Sequence, residues 1–253
     1  MADNIYSSIA EVYDLLNDEI DYCVWASFID RIIKKYSTVP VSLVLDLGCG
    51  TGKMTFALRD LGYDMTGVDI SPEMLDEAAK ICRLKKIDDI LWLCQDMTDF
   101  ELYGTVDAAV CCLDGINHLT KPSDAKRALS LVHNYLVPDG IFIFDLNTPH
   151  KFETVYGEND YILEDEGVLL AWQNSYNRKT KLCDFFVSTF TELQNGQYER
   201  RDSIQRERCY TERSIRRMLH ETGFELLFIS SDYSDSPAAP GADRWYIAAR
   251  CIK

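Results

Sequence analysis

A glycine cluster between a predicted strand and a predicted helix constrains the fold of this chain more than any other feature. The apolar run Val41–Leu47 is followed by GCGTG at Gly48–Gly52, and a helical pattern begins at Lys53. Glycines at such a junction allow a tight turn and close approach of the backbone to a ligand, and the helix N-terminus supplies free N–H groups. The cluster indicates a nucleotide-type site, although a glycine-rich turn without a ligand has the same pattern.

Spacing decides between three kinds of nucleotide site. A P-loop requires Gly-x4-Gly-Lys-Ser/Thr, and Leu47 and Met54 occupy two of its required places. The dinucleotide fingerprint Gly-x-Gly-x-x-Gly fails because Lys53 stands where its third glycine should be. The remaining pattern is Asp-x-Gly-x-Gly-x-Gly from Asp46, with Asp69 at the end of the next predicted strand. A carboxylate there can accept both ribose hydroxyls of an adenosine lying across the strand ends.

Strands and helices alternate from residue 41 to residue 146, which predicts an α/β fold with a parallel sheet covered on both faces. The predicted strands are Val41–Leu47, Met65–Asp69, Ile90–Cys94, Val106–Cys112 and Gly140–Leu146. The predicted helices are Lys53–Leu61, Pro72–Arg83 with Ser71 as N-cap, and Ser123–Tyr135.

The pattern changes after Pro149 and divides the chain into three predicted parts. Asn195-Gly196 is a strong hairpin signal between β-rich runs that have no helix between them. These runs are Val168–Tyr176, Leu182–Leu193 and Gln197–Tyr210, and helix Glu212–Thr222 and strands Phe224–Ser230 and Trp245–Cys251 follow them. We predict N-terminal cap helices over 1–40, a ligand-binding domain over 41–148 and 211–253, and an antiparallel β insertion over 149–210.

Alternating aromatic and charged residues characterise the insertion. The aromatic residues are Trp172, Tyr176, Phe185, Phe186 and Phe190. They are typical of one sheet face against a core, and equally of a substrate roof or a dimer interface. Asp202 and Glu207 alternate with arginines, which favours a solvated strand face.

Five motifs in order give the chain a resemblance to the class I S-adenosylmethionine-dependent methyltransferases. They are LDLGCGTGK at 45–53, GVDIS at 67–71, CQDM at 94–97, CLDGINHL at 112–119 and LVPDGIFIFD at 136–145. The resemblance implies a doubly wound Rossmann-like sheet of seven strands with the last strand antiparallel, and S-adenosylmethionine as cofactor. A looser resemblance to sugar-amine N-methyltransferases rests on YSSIAEVYDLL at 6–16, the β insertion after strand five, and the aromatic last strand RWYIAAR at 244–250.

The resemblance also implies which residues contact the cofactor. Asp69 would bind the ribose, Asp96 the adenine amino group and Met97 the adenine ring. Aromatic residues near the N-terminus would close over the sulfonium cation. The implied set is Tyr13, Tyr22, Trp25, Asp46, Gly48, Cys49, Gly50, Asp69, Ile70, Asp96, Met97 and Leu113. Core packing accounts about equally well for Trp25.

His118 is the predicted catalytic base. Methyl transfer from a sulfonium needs alignment, exclusion of water and loss of a proton from the acceptor, so we expect no metal and no covalent intermediate. His118 follows strand four, and an unperturbed histidine pKa of ~6.5 suits proton removal; the alternative is a residue that only positions substrate. Asp114 and Asn117 are predicted to orient a polar substrate, with Asp114 suited to an ammonium group, and Tyr176 is the predicted substrate contact from the insertion.

Charge and composition restrict the partners. The 253 residues carry 26 Lys+Arg and 41 Asp+Glu, a net charge of −15, which disfavours nucleic acid. Nine cysteines without framework spacing predict reduced thiols, and the four histidines form no pair at metal-ligand spacing. The sequence has neither a membrane-spanning apolar run nor a signal-peptide pattern, so we expect a cytoplasmic protein, monomeric or homodimeric.

The expected acceptor is a small molecule, methylated on nitrogen first and on oxygen second. A tRNA or RNA methyltransferase and a non-catalytic protein that binds S-adenosylmethionine are the alternatives. An NAD enzyme is disfavoured by the glycine spacing.

Overall fold

The computed structural model describes residues 20–157, 159–165 and 167–253. Its strands are β1 (Leu43–Leu47), β2 (Asp64–Asp69), β3 (Ile90–Cys94), β4 (Val106–Cys111), β5 (Leu136–Asn147), β6 (Asp160–Asp165), β7 (Val168–Asn177), β8 (Leu182–Glu192), β9 (Tyr198–Arg208), β10 (Phe224–Ser230) and β11 (Arg244–Cys251). Its helices of eight residues or more are α1 (Tyr22–Tyr36), α2 (Lys53–Asp60), α3 (Pro72–Lys85), α4 (Pro122–Tyr135) and α5 (Glu212–Glu221). Shorter helical segments occupy Gly115–His118, Pro149–Lys151 and Phe152–Tyr156.

Seven strands form the main sheet, in the order β10-β11-β5-β4-β1-β2-β3. Strands β1 to β5 pair in parallel, and β11 pairs antiparallel with both β10 and β5. The order reverses at β1, where the chain moves to β2 on one side while β4 lies on the other. Ligands of open α/β sheets bind at such a reversal, beyond the carboxyl ends of the strands. The predicted seven-stranded sheet with an antiparallel last strand is confirmed.

Helices cover both faces of this sheet because its central strands are apolar on both sides. One buried cluster joins the sheet to α4 and α5 through residues such as Leu129 and Met218, and the other joins it to α1 and α2 through residues such as Phe28 and Leu58. Side-chain caps begin several helices: Asp21 accepts from the Val24 amide, and Ser71 accepts from the Met74 amide. These caps satisfy N–H groups that a helix start leaves without partners.

The remaining four strands form a second antiparallel sheet, in the order β6-β7-β8-β9. Trp172, Tyr176 and Phe185 share one face and pack against Phe152 and Tyr156. The other face carries the remaining two aromatic residues of the predicted pattern: Phe186 is 42% exposed, and Arg200 lies over the Phe190 ring. The aromatic residues are therefore divided between two faces.

Three local elements differ from the sequence predictions. Strand β6 was not predicted, because Asp160, Glu164 and Asp165 disfavour strand structure; as an edge strand it pairs with β7 alone. Strand β5 begins at Leu136 rather than Gly140, and an irregularity in its pairing with β4 accommodates Pro138 and Asp139. The turn of 3₁₀ helix at Gly115–His118 was also not predicted.

The described part of the N-terminal cap is α1, and the helical pattern predicted before residue 20 lies outside the described residues. Strands β6 to β9 lie inside the range given to the insertion, and the division into cap, domain and insertion stays a prediction. Among the described residues, no helix has the length and apolar character to cross a membrane.

Candidate functional site

A cavity of about 390 Å³ opens at the carboxyl ends of β1, β2, β3 and β4. Its volume is in the range of small-molecule sites. Most of the cofactor residues implied by the family resemblance meet there, together with the predicted base His118. They are Tyr22, Asp46, Gly48, Cys49, Gly50, Asp69, Ile70, Asp96, Met97, Leu113 and His118.

The glycine loop bends the backbone into the floor of this cavity. The amides of Gly48 and Cys49 both donate to the carbonyl of Val68, at 2.7 and 3.0 Å, which ties the loop to the end of β2. Gly52 begins α2 with φ +82°, and a Cβ there would lie 2.5 Å from the Trp92 ring. Only glycine meets both conditions without strain, so the loop stays close to the strand ends and leaves room for a ligand.

Asp69 ends β2 and holds the loop through both carboxylate oxygens. Its Oδ2 accepts from the Gly50 amide at 2.8 Å, and its Oδ1 accepts from the Ser71 amide at 2.9 Å. Burial raises the pKa of Asp69, while these two amide bonds lower it. The carboxylate therefore sits between the glycine loop and the start of α3, where ribose hydroxyls could replace or share its bonds.

Asp46 lies at the bottom of the cavity with its side chain fully buried. Thr55 Oγ1 donates to its Oδ2 at 2.6 Å. Burial raises the pKa of Asp46 to about 7, and the Thr55 hydrogen bond opposes this shift.

Asp96 and Met97 follow β3 on the far side of the cavity. Asp96 Oδ1 accepts from the amide and the hydroxyl of Thr98, at 2.7 and 2.8 Å, which fixes the carboxylate. The Met97 methyl group would lie 3.2 Å from a Cβ on Gly48. The Asp96 carboxylate is a hydrogen-bond acceptor, and the Met97 side chain beside it is an apolar surface. A heteroaromatic ring with an amino group fits such a pair.

The aromatic residues predicted to close over the cofactor have different positions. Tyr22 lines the cavity, with Lys53 Nζ 5.6 Å from the centre of its ring. Trp25 is 2% exposed and packs against Tyr233 and Tyr246 in the core, away from the cavity lining. Tyr13 lies outside the described residues.

His118 ends the turn of 3₁₀ helix after β4 and lines the cavity wall. Its Nε2 lies 3.9 Å from Asp114 Oδ2. Burial lowers the pKa of His118 below its usual value, and the negative charges of Asp114 and Asp69 oppose that shift. A neutral imidazole in this place can accept a proton at neutral pH.

The turn that carries Asp114 is held by a buried charge cluster, which consists of Asp114, Asp145, Lys151, Glu207 and Arg244. Arg244 pairs with Asp114 at 3.0 Å and with Asp145, and Asp145 Oδ2 also accepts from the Asp114 amide. Lys151 Nζ donates to Asn147 Oδ1 at 2.9 Å. Asn147 Nδ2 donates to Glu207 at 3.1 Å. The cluster joins β5, β9, β11 and the turn after β4 beside the cavity.

Four members of this cluster were missed by the sequence analysis. The alternation of charges in β9 predicted a solvated face, and this was wrong for Glu207, which is 5% exposed. Its side chain points to the main sheet because β9 packs on the turn after β4 through Arg208 and Asn117. Asp145 offered one signal, since a carboxylate at the end of an apolar strand requires a cationic partner.

Asn117 and Tyr176, predicted as substrate contacts, do not line the cavity. Asn117 Nδ2 donates to the Arg208 backbone carbonyl at 2.8 Å, and Asn117 Oδ1 accepts from the Asn147 backbone amide at 3.0 Å. The Asn117 side chain therefore connects three elements. Tyr176 packs on Phe152 within the insertion. Asp114 pairs with Arg244 beside the cavity rather than in its lining.

Several cavity residues had no sequence signal of their own. They are Thr51, Lys53, Gln95, Thr120, Gln205 and Arg206. The last two come from β9, which brings the insertion over the cavity. Ligand-type atoms of Asp114, His118 and Glu207 also lie within 4.8 Å of one another, a set that offers one nitrogen and carboxylate oxygens to a cation.

Comparison with known proteins agrees with this geometry. Residues 44–140 match the family described as "Methyltransferase domain". A protein of Geobacillus sp. (strain WCH70) that carries the name of a methyltransferase is 28% identical over 245 residues, 97% of this chain and 99% of the relative. The crystal structure of an S-adenosylmethionine-dependent methyltransferase from Clostridium acetobutylicum ATCC 824 is 29% identical, with a TM-score of 0.88 over 99% of this chain and 100% of that one.

A third relative is similar over about half of the chain. The dTDP-3-amino-3,6-dideoxy-alpha-D-glucopyranose N,N-dimethyltransferase of Streptomyces fradiae is 31% identical over 139 residues, 54% of this chain and 52% of the relative. The domain match, the full-length similarities and the sheet order lead to one conclusion: residues 44–140 carry a methyltransferase domain, in a chain that is similar over nearly its whole length to S-adenosylmethionine-dependent methyltransferases.

Proposed function

We propose that this methyltransferase methylates a small polar molecule, on nitrogen in the first place and on oxygen as the alternative. The observation that carries the proposal is that strand β9 contributes to the wall of the cavity at the strand ends. Gln205 and Arg206 of the insertion line the same cavity as the glycine loop, and His118 lies in its wall. The cavity volume of about 390 Å³ is that of a small-molecule site.

The residues at the strand ends fit the cofactor. In the proposal Asp69 binds the ribose hydroxyls, the glycine loop approaches the amino-acid part, and Asp96 and Met97 hold the adenine. Ile70, Leu113, Cys49 and Tyr22 complete the walls. Each of these residues lines the cavity, and the lack of a Cβ at Gly52 lets the loop lie close to the Trp92 ring without strain.

The chain's part in the reaction is alignment, exclusion of water and removal of a proton. S-adenosylmethionine supplies a methyl group on a sulfonium that leaves as a neutral thioether. In the proposal, β9 limits the access of water at the side of the cavity that Gln205 and Arg206 line, which favours transfer to the bound acceptor over hydrolysis. His118, neutral because burial lowers its pKa, accepts the acceptor's proton at Nε2.

Two further observations support a small acceptor rather than nucleic acid. The net charge of −15 opposes the approach of a polyanion. The Streptomyces fradiae relative is named for an amino-sugar nucleotide, and it is 31% identical over 139 residues of this chain. We infer an acceptor of that size, with an amine as the first choice.

Calorimetric titration with S-adenosylhomocysteine, with NAD in parallel, tests the proposal. We expect micromolar binding of S-adenosylhomocysteine, no heat with NAD, and at least tenfold weaker binding in Asp69→Ala, since two charge-assisted hydrogen bonds are lost. Asp64→Ala is the matched control, because Asp64 is exposed at the other end of β2. Unchanged affinity in Asp69→Ala contradicts the proposed site.

Methyl transfer to panels of amines, hydroxyl compounds and tRNA then identifies the acceptor class. Transfer to an amine or hydroxyl compound supports the proposal, and transfer to tRNA contradicts it. Binding of S-adenosylhomocysteine without transfer to any acceptor favours a cofactor-sensing protein. His118→Ala should retain cofactor affinity and lose most of kcat, about 10²-fold or more.

A further inference from the structure

Three side chains from two parts of the chain meet beside the cavity and form what we call the acceptor triad: Asp114, His118 and Glu207. One ligand-type atom of each lies within 4.8 Å of the others. The separation between Asp114 Oδ2 and His118 Nε2 is 3.9 Å, too long for a direct hydrogen bond. His118 lines the cavity, so the triad adjoins the place proposed for the methyl acceptor.

Neighbouring groups fix the two carboxylates of the triad. Asp114 Oδ1 pairs with Arg244 at 3.0 Å, which leaves Oδ2 as the oxygen near His118. Glu207 Oε2 accepts from Asn147 Nδ2 at 3.1 Å. Each carboxylate therefore keeps one orienting partner while its geometry still permits a second.

The spacing of the triad suits an ammonium group. Charge-assisted N–H···O bonds are about 2.8 Å long, so three acceptors around one tetrahedral nitrogen lie about 4.6 Å apart. The triad atoms all lie within 4.8 Å of one another, and the Asp114–His118 pair is closer, at 3.9 Å, so one nitrogen can contact all three. Two of them are carboxylate oxygens, and the third is the Nε2 lone pair of a neutral imidazole, so all three can accept an N–H.

Charge in the buried charge cluster favours one more cation. Its carboxylates are Asp114, Asp145 and Glu207, against the cations Arg244 and Lys151. Burial and the negative charge of Asp114 raise the pKa of Glu207, so a positive partner is needed to keep its carboxylate ionised. In the same charge cluster, Asp145 Oδ1 is a buried oxygen that has no hydrogen-bond partner among the described residues.

The same charges argue against a divalent metal ion in this place. Arg244 and Lys151 both act electrostatically on Asp114 and Glu207. An ion of charge +2 would be repelled by two fixed cations, whereas a monocation balances the single charge that Glu207 carries when it is ionised. An ammonium also brings N–H donors, which a metal ion lacks.

We propose that the acceptor triad binds the protonated primary or secondary amine of the methyl acceptor and that His118 then deprotonates it. This inference rests on the proposed function. One N–H bond breaks with its electron pair left on the amine nitrogen, and the proton forms an N–H bond at His118 Nε2. The lone pair then attacks the methyl carbon while the carbon–sulfur bond breaks toward sulfur, which gives a methylated ammonium and a neutral thioether.

A pair of matched probes tests the triad without knowledge of the natural acceptor. Both are S-adenosylhomocysteine analogues with nitrogen in place of sulfur; one carries a 2-aminoethyl arm and the other a 2-hydroxyethyl arm. In calorimetric titrations we expect the wild-type protein to bind the amine probe about tenfold or more tightly than the hydroxyl probe. In Glu207→Gln and in Asp114→Asn this preference should fall to about one.

S-adenosylhomocysteine serves as the reference ligand in every variant. Its retained affinity shows that the variant is folded and that the cofactor site is intact; loss of its binding in the wild type would contradict the proposed function instead. Glu199→Gln on the same strand is the control, because Glu199 is exposed and pairs with Arg201. It should keep the full preference for the amine probe.

Two results overturn the inference. One is equal binding of the two probes by the wild-type protein, and the other is a preference that survives in both Glu207→Gln and Asp114→Asn. The competing explanation is that the triad binds a metal ion, and Zn²⁺ and Mg²⁺ test it. A rise in Tm with either ion in the wild type but not in Glu207→Gln, together with loss of the probe preference, would make the triad a metal site.

Discussion

Arg244, the first residue of β11, lies 3.0 Å from Asp114 in the turn after β4. That turn is strained, because Leu113 and Asp114 both have positive φ values, 58° and 51°. Arg244 also pairs with Asp145, whose carboxylate accepts from the Asp114 amide. The last strand of the sheet lies far from this turn in the sequence. It nevertheless holds the turn in place, and the turn leads into the 3₁₀ helix that ends at His118.

Replacing Arg244 should lower the free energy of unfolding of the protein. In Arg244→Met two buried carboxylates, Asp114 and Asp145, lose their shared cation, so we expect a loss of about 3–5 kcal/mol in the free energy of unfolding. Equilibrium urea unfolding measures it. Arg217→Met is the control, since Arg217 is an exposed helical residue whose carboxylate partner is 3.9 Å away, and should change stability by less than about 0.5 kcal/mol. Equal stability of the two variants would contradict this.

Gly52→Ala should disturb both the fold and cofactor binding. The residue has φ +82°, and an added Cβ would lie 2.5 Å from the Trp92 ring, so the loop or the ring must move. We expect a loss of about 1–3 kcal/mol in unfolding free energy and weaker binding of S-adenosylhomocysteine. Gly104→Ala is the matched comparison, because Gly104 has open space around its Cβ position. The interpretation fails if both substitutions have the same effect in urea unfolding and calorimetry.

The strands and helices of the main sheet could be predicted because their patterns are local. The run Val44–Leu47 before the glycine cluster and the capped helix after Ser71 each carry their own signal of period, cap and breaker. The antiparallel last strand came from the resemblance instead, since no local pattern tells which neighbour β11 pairs with. Strand β6 was missed because its acidic residues are tolerated at an edge where one neighbour suffices.

The site was predictable only as far as it is built from consecutive residues. Asp46 and Asp69 lie at the carboxyl ends of β1 and β2, and Asp96 follows β3, so their common location follows from the topology of one parallel sheet. Glu207 and Arg244 lie far apart in the sequence, and their burial depends on how β9 and β11 pack against the turn after β4. Periodicity describes a strand's two faces but does not say which face another element will cover.

Asp46→Asn should change how stability depends on pH. Burial raises the pKa of Asp46 to about 7 in the folded protein, above the unfolded value of 3.8. A raised folded pKa means that the stability contribution is complete below the unfolded pKa and is lost as pH rises toward 7. The variant lacks this loss, so its stability relative to wild type should improve by up to about 4 kcal/mol between pH 4 and pH 8. Urea unfolding at both pH values measures the difference.

Thr55→Val provides the complementary measurement for Asp46. The Thr55 hydroxyl donates to the Asp46 carboxylate and lowers its pKa, so without the hydroxyl the loss of stability should be larger at pH 8 than at pH 4. A stability difference between Asp46→Asn and wild type that is the same at both pH values would show that Asp46 is already ionised throughout this range.

The protonation of His118 can be measured directly. Its pKa shows how strongly the Asp114 carboxylate acts on the proposed base. Burial lowers the pKa of His118 below 6.5, while Asp114, at 3.9 Å, and Asp69 raise it. The wild-type imidazole should therefore titrate below 6.5 in NMR spectra of histidine-labelled protein, with His118→Asn identifying its signal. Asp114→Asn removes a negative charge that favours the imidazolium, so the pKa of His118 should fall further, whereas Asp64→Asn, at the opposite end of β2, should leave it unchanged. If His118 titrates above 6.5, or if Asp114→Asn raises its pKa, the imidazole is protonated over more of the physiological range than a base in this site requires.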